Sequence, residues 1–336
     1  MTATMRAVVY DDYKGAINMR VADIAIPEPG PGQVRVRVHA AALNAADWHL
    51  YLGDPWLARA SFGWRGPKRK PSIIAKDLAG VVDALGEGVT TFAVGDRVYG
   101  ETWDGCASDF AVIDTSALAT MPAGLTFEEA AALPMGALTA SQGLRQAGME
   151  DGSLPDAPRT LVIGAAGGVG HLAVQIARVM GAGRVVAVCS ARNATMLREL
   201  GADRVIAYDE ENLFDCGEKF DLVYDTVATS SFRKVRTVMT KTGTYACAGG
   251  VGGGKLFGPA WPVMSPRLLS PLFSQRGVSV AAAISGEDLA KVTPWVEAGQ
   301  VRPVIERVYA LEDFAPALAR LESKHTAGKL VLRVSA

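Results

Sequence analysis

The chain has 336 residues, enough for about two domains at a typical size near 150. With 49 % hydrophobic and 21 % charged residues, its composition is that of a globular protein with a core, not of a disordered chain. Lys plus Arg number 34 and Asp plus Glu 35, a net charge of −1. That balance argues against a general electrostatic grip on nucleic acid or an anionic membrane, and leaves only a local basic patch open.

Cys106, Cys189, Cys216 and Cys247 form no CxxC pair, so neither a zinc knuckle nor a disulfide framework is expected. The opening MTATMRAVVYDD lacks the apolar core of a secretory signal, and no apolar run reaches the roughly 18 residues of a membrane span. The expected place is the reducing cytoplasm. His39, His49, His171 and His325 are too scattered for an all-histidine metal site.

From the N-terminus, MRAVVY (5–10) predicts a strand, and Pro27, Pro29 and Pro31 among glycines predict a turn. Val34, Val36 and Val38 alternate with Arg35, Arg37 and His39, the period of a half-buried strand. LAGVVDALG (78–86), VGDRVYG (94–100) and SDFAVID (108–114) continue the series, so the first 120 or so residues predict a curled antiparallel sheet. The texture then changes. Residues 125–148 are alanine-rich and helical in composition, interrupted at Pro134, with Thr126, Glu128 and Glu129 suited to a capped first turn. Beyond residue 159, apolar strands (161–163, 184–190, 204–208, 220–227, 244–250) alternate with helical stretches such as 193–202, which predicts a parallel sheet covered on both faces. The glycine- and proline-rich stretch 251–280 reads as a pocket-lining loop, an interface segment or both. The end predicts a helix and a closing strand.

The sharpest chemical signal is LVIGAAGGVG (161–170): an apolar strand, then Gly164, Ala166, Gly167, Gly168, Val169 and Gly170, then a helix. Glycines permit a tight turn and close approach of a diphosphate, and the helix start supplies free N–H groups and a positive dipole end. At the end of the second strand, where an NAD site usually places an acid, the chain reads AVCSARN. Ser190 and Arg192 there suit a 2′-phosphate and point to NADPH, unless Arg192 is simply an exposed arginine opening the next helix. Tyr208 flanks the adenosine end or belongs to the core.

Taken in order, AALNAADWHL (41–50), KDLAGVV (76–82), VGDRVYG (94–100), LTFEEAAALPMGALTA (125–140), GAAGGVG (164–170), LGADRVIAY (200–208) and GKLVL (328–332) resemble the medium-chain dehydrogenase/reductases, within the zinc-free quinone oxidoreductase-like branch. The resemblance spans nearly the whole chain. It implies a mostly antiparallel β, GroES-like catalytic domain over 1–125, completed by 284–336. Between them it implies a Rossmann-type NADPH-binding domain over 126–283, a doubly wound parallel sheet. It also implies an active site in a cleft between domains and a homodimer.

Zinc members of that superfamily carry a Cys three residues before the Asp of the first motif, where this chain has Asn44 before Asp47. Their Gly-His-Glu triplet is Ala75, Lys76 and Asp77 here, their third ligand falls near Met135, and their four-cysteine lobe is missing. An amide, an ammonium and a thioether do not make a zinc site. The resemblance therefore implies zinc-free hydride transfer to a small apolar quinone or α,β-unsaturated carbonyl, with hydrogen-bond donors in place of the metal; the alternatives are a zinc-free NADP-dependent aldehyde, ketone or alcohol oxidoreductase, or a cofactor-binding interaction protein with vestigial activity.

Asn44 is the expected nicotinamide- or substrate-side residue, or else caps a turn. Lys76 is the expected oxyanion donor, oriented by Asp77, or else the two form a structural pair. Trp48, Tyr51 and Trp64 are read as pocket walls or as core aromatics, and His49 as a partly exposed loop residue or else a proton donor. His171 is expected to face solvent or the other domain. Thr139 resembles the family threonine near the nicotinamide, with Gly249, Gly250 and Ala282 along its other edge.

Overall fold

The computed structural model describes residues 3–56, 59–250 and 260–335. In chain order its strands are β1 (Thr4–Tyr10), β2 (Arg20–Ala25), β3 (Gln33–Leu43), β4 (Ser72–Ile73), β5 (Asp77–Leu85), β6 (Arg97–Glu101), β7 (Phe110–Asp114), β8 (Leu118–Thr120), β9 (Arg159–Ile163), β10 (Arg184–Cys189), β11 (Arg204–Ala207), β12 (Phe220–Asp225), β13 (Met239–Cys247), β14 (Arg276–Ser279), β15 (Ile305–Ala310) and β16 (Lys329–Arg333). The chain divides into two compact units. One comprises Met1–Met135, Ile284–Gly299 and Pro303–Ala336; the other comprises Gly136–Ala283 and Gln300–Arg302. Residues 126–135, placed by sequence with the second domain, thus go with the first unit. Their capped helix, Phe127–Ala131, begins where Thr126 Oγ1 accepts the Glu129 N–H and Glu129 returns a carboxylate to the Thr126 N–H.

The first unit is built on a curled sheet of order β15-β16-β3-β5-β6-β8, with β7 also paired to β3, and a small sheet of order β2-β1-β4. All pairings are antiparallel except β15 with β16. The long strand β3 follows its valine period: Val34, Val36 and Val38 are fully buried, while Arg35, Arg37 and His39 keep partial exposure. Each buried valine contributes about 1.5–2 kcal/mol relative to an exposed one. Leu78, Val98, Leu330 and Leu332 from neighbouring strands complete that core.

The second unit is a six-stranded, all-parallel sheet of order β11-β10-β9-β12-β13-β14. This is the doubly wound order in which a nucleotide lies at the carboxyl ends of the strands, where the order reverses between β9 and β12. The strands are apolar because both faces are covered: Leu161, Val186, Val223 and Tyr245 are buried.

The stretch 251–280 departs from expectation. Residues 251–259 lie outside the described residues, but Ala260–Leu269 is a helix and Arg276–Ser279 is the edge strand β14, not loop. Pro262 sits in the first helical turn, where its missing N–H has no partner to lose. Gly277, having no side chain, lets β14 pass so close to the helix that a Cβ there would lie 2.1 Å from the carbonyl oxygen of Pro266, itself inside the helix. The sequence reading also passed over β2, β8 and β15, which are short or lack a clean alternation, and the helices Ala45–Leu52 and Gly286–Glu297.

Candidate active site

The first unit gathers the expected catalytic residues around Asp77. That carboxylate is fully buried at the start of β5. Its Oδ1 accepts the Met135 N–H at 2.9 Å, and its Oδ2 accepts Asn44 Nδ2 at 2.9 Å and Lys329 Nζ at 2.8 Å. Lys329 also donates to Asn44 Oδ1, and its side chain is 2 % exposed. Asn44 therefore spends both ends of its carboxamide internally and stands at the N-cap of the Ala45–Leu52 helix, the turn-capping alternative. Its backbone N–H donates to Asp47 Oδ2 at 2.8 Å, closing the first turn.

Lys76 and Asp77 do not pair. Adjacent residues in extended chain point to opposite sides. Asp77 turns to Lys329, and the buried Lys76 Nζ donates to the Trp103 carbonyl at 2.8 Å. Lys76 and Trp103 line a cavity of about 580 Å³ within the first unit, together with Tyr10, Tyr13, Leu50 and Phe62. An ammonium carries three donors, so the bond to Trp103 leaves it capacity toward that cavity. Trp48 is half-buried beneath Lys324, Tyr51 is core with its hydroxyl donating to Glu322 at 2.7 Å, and Trp64 is 68 % exposed. None of these three is among the residues lining that cavity. Sequence reasoning missed Trp103 as its aromatic wall. His49 is not a loop residue: it sits on the Ala45–Leu52 helix, bonded through Nδ1 to the Asp54 carbonyl at 2.8 Å.

Two further carboxylates lie in this buried neighbourhood. Burial pushes Asp47 up to about 6, against the attraction of Lys76, and its Oδ1 has no hydrogen-bond partner. Glu101, directly across from Asp77 in the β5–β6 ladder, is pushed up to about 8 by burial and then by the Asp77 charge. Among the described residues no group of three or more His, Cys, Asp and Glu is arranged to hold a metal ion.

In the second unit the glycine turn separates the needs of folding from those of a ligand. A Cβ on Gly170 would lie 2.2 Å from the Gly164 carbonyl oxygen. One on Gly164, whose φ is +76°, would lie 2.4 Å from Thr226 Oγ1. Both positions need glycine for packing. Gly167 does not: the nearest atom to its Cβ would be 3.4 Å away, an ordinary contact. The Gly170–Val179 helix has no side-chain cap, and although the His171 N–H is spent on the Gly167 carbonyl at 3.2 Å, the positive dipole end lies at the turn, beside Ala166, Gly168 and Val169. These features fit a dinucleotide diphosphate. His171 is fully buried and bonded through Nδ1 to the Gly167 carbonyl at 2.8 Å, so it braces the turn and does not face solvent.

Other expected cofactor residues border the same end of the sheet. Ser190 follows β10 and accepts Asn193 Nδ2 at 3.2 Å, Arg192 is exposed on the next turn, and Tyr208 is 58 % exposed after β11. Thr139 is buried on the helix Pro134–Gln146, and its carbonyl accepts the Tyr224 hydroxyl at 2.7 Å. Gly249 and Gly250 follow β13, and a Cβ on Gly249 would meet the Thr226 carbonyl at 2.7 Å. Ala282 is exposed between two residues that glutamines hold. Gln146 exchanges both amide bonds with Ala281, and Gln142 does so with Ala283. These two glutamines, four apart on one helix face, are a positioning device that the motif reading missed.

The family model described as "Alcohol dehydrogenase GroES-like domain" matches residues 30–140, and that described as "Zinc-binding dehydrogenase" matches 200–332. The 2-methylene-furan-3-one reductase of Solanum lycopersicum is 30 % identical over 98 % of this chain and 79 % of its own length. The chain belongs to the medium-chain dehydrogenase/reductase superfamily. Within it, the chain falls in the quinone oxidoreductase-like branch. The Arabidopsis thaliana chloroplastic NADPH-dependent alkenal/one oxidoreductase is 29 % identical over 98 % of this chain and 79 % of its own. The solved quinone oxidoreductase of Coxiella burnetii superposes with a TM-score of 0.85 at 27 % identity, covering 99 % of this chain and all of that one. As a medium-chain dehydrogenase/reductase, this chain is an oxidoreductase.

Proposed function

We propose that the protein is an NADPH-dependent, zinc-independent reductase of α,β-unsaturated carbonyls or quinones. The donor set carries this reading. Where zinc relatives place ligands, this chain has an amide already bound to an internal ammonium, and a second ammonium, Lys76, lining an aromatic cavity. Relatives named for 2-methylene-furan-3-one, alkenal/one and quinone reduction support the substrate class. Ser190 and Arg192 support the phosphorylated cofactor.

When bound on the glycine turn, the reduced nicotinamide supplies a hydride. The chain's residues do the rest. Lys76 presents an N–H to the oxygen that gains charge as a conjugated acceptor becomes an enolate or hydroquinone anion. Trp103, Tyr10 and Tyr13 give a flat apolar acceptor its contact surface. Lys329, through Asn44 and Asp77, holds the frame from which β5 leaves Lys76. Gln142 and Gln146 hold residues 281–283, and Thr139, Gly249 and Gly250 border the nicotinamide.

The proposal includes a cytoplasmic homodimer. Four free cysteines support the reducing place, and Trp261, Met264, Leu268 and Leu272, all exposed beside the edge strand β14, support self-association. Among the described residues no helix is long and apolar enough to cross a membrane.

The test is NADPH oxidation by purified protein with a panel of enones, quinones and saturated aldehydes, and NADP+ reduction with alcohols, before and after chelation. Turnover restricted to conjugated acceptors and unchanged by chelator is expected. A preference for saturated carbonyls, or loss of activity restored by zinc, would contradict the reading, as would cofactor binding without turnover of any acceptor.

A further inference from the structure

The end of β10 carries no acid of its own, but the fold brings one there from the neighbouring strand. Strands β10 and β11 run parallel with Cys189 opposite Ala207, and the Tyr208 N–H donates to the Cys189 carbonyl at 2.9 Å. The chain leaving β11 therefore runs beside the chain leaving β10. Asp209 is exposed there, and its Oδ1 accepts the Ala191 N–H at 2.8 Å. Ala191 opens the turn Ala191–Asn193, which follows Ser190 and carries Arg192.

This arrangement has two consequences for a ligand at the strand ends. A backbone donor that a phosphate on this turn would use is already taken by a carboxylate. That carboxylate also adds a negative charge next to the arginine expected to attract the phosphate. Its second oxygen takes no part in the Ala191 bond, and a carboxylate is a good acceptor for a ribose hydroxyl.

We infer that Asp209 sets cofactor choice. It repels the 2′-phosphate of NADPH and accepts the ribose hydroxyls of NADH, so that NADH also binds and the preference for NADPH given by Arg192 is narrowed. The inference rests on the dinucleotide reading of the glycine turn. It adds a residue that works against Arg192 and that no second-strand motif announces.

The experiment is equilibrium titration of the full-length protein with NADPH and with NADH, followed by nucleotide fluorescence, at low and at physiological salt. It compares the native protein with Asp209→Asn, Asp209→Ala and Arg192→Ala. Asn keeps an acceptor for the Ala191 N–H while removing the charge, so the turn keeps its shape. Native protein binds both cofactors. Asp209→Asn shifts the ratio of the two dissociation constants toward NADPH by roughly three- to tenfold, the size expected for one like charge at a solvated surface. The shift shrinks as salt rises. Arg192→Ala moves the ratio the other way.

An unchanged ratio in both Asp209 variants, with native binding intact, overturns the role of Asp209 alone. Native protein that binds neither dinucleotide overturns the underlying reading. If Arg192→Ala leaves NADPH binding untouched while Asp209→Asn shifts the ratio, the arginine assignment fails and Asp209 stands.

Discussion

Lys329 shows what a single residue can hide from a sequence. It is the second residue of GKLVL, a run read as a family motif and a closing strand with no role given to the lysine, yet its ammonium is buried between Asn44 and Asp77. The contact joins residues 285 positions apart, so no local pattern could announce it. Asn44 and Asp77 were legible as motif positions, but their partner was not, and Asp77 was paired with Lys76, its sequence neighbour. Breaking a buried pair from one side leaves the other charge stranded. Lys329→Met is therefore expected to lower unfolding free energy by about 3–5 kcal/mol in urea titration, and Lys329→Arg by less. A loss below about 1 kcal/mol for Lys329→Met would mean that Asp77 needs no cation.

Glu101 supplies a pH signature at the same scale. Burial and Asp77 hold its folded-state proton affinity up at about 8, while in the unfolded chain it titrates as an ordinary glutamate near 4.5. Between these values the folded state binds the extra proton, so this group's contribution to stability falls as pH rises. The depressed His39 and His49 act in the opposite sense, but only below the ordinary histidine range. Asp47 and Asp225, also raised by burial, act in the same sense as Glu101, so its effect is isolated by comparing the native protein with a Glu101 variant from pH 6.5 to 8. Urea unfolding should show Glu101→Gln gaining on the native protein across that window, and parallel curves would contradict the assignment.

At the scale of the element, what could be read depended on repetition and burial. Strand β3 and the strand–turn–helix at 159–179 were legible because alternation and glycine spacing are local. Strand β2 keeps its residues half-exposed or exposed on both faces and shows no such period. The helix at 260–269 was obscured by its prolines, which were read as loop markers. The glycine turn itself can be taken apart. Gly170→Ala places a methyl against the Gly164 carbonyl and should destabilise the fold by about 1–3 kcal/mol. Gly167→Ala meets only an ordinary contact, so its melting temperature should stay close to native while NADPH affinity drops about tenfold or more. Thermal unfolding and cofactor titration of both variants check this. Equal effects on fold and binding would mean that the turn is structural only.

At the scale of the whole molecule, the alternation of strands and helices announced a parallel sheet, and the structure gives its order, reversing between β9 and β12. The first unit was harder to read, because β15 and β16 return from the far end of the chain to complete the sheet begun by β3 and β5. A discontinuous unit leaves no boundary signal in composition. This is why the buried contacts of the first unit, those of Lys329 above all, were the least legible, while the strand–turn–helix of the second, built from one continuous segment, was the most legible.

The destination of the hydride can be measured with NADPH carrying deuterium on the transferable position and a simple α,β-unsaturated ketone as acceptor. Mass spectrometry and NMR of the product should find the deuterium on the β-carbon of a saturated ketone, as expected when Lys76 holds the charge of an enolate. Deuterium on the carbonyl carbon of an allylic alcohol, or none in any product, would contradict it.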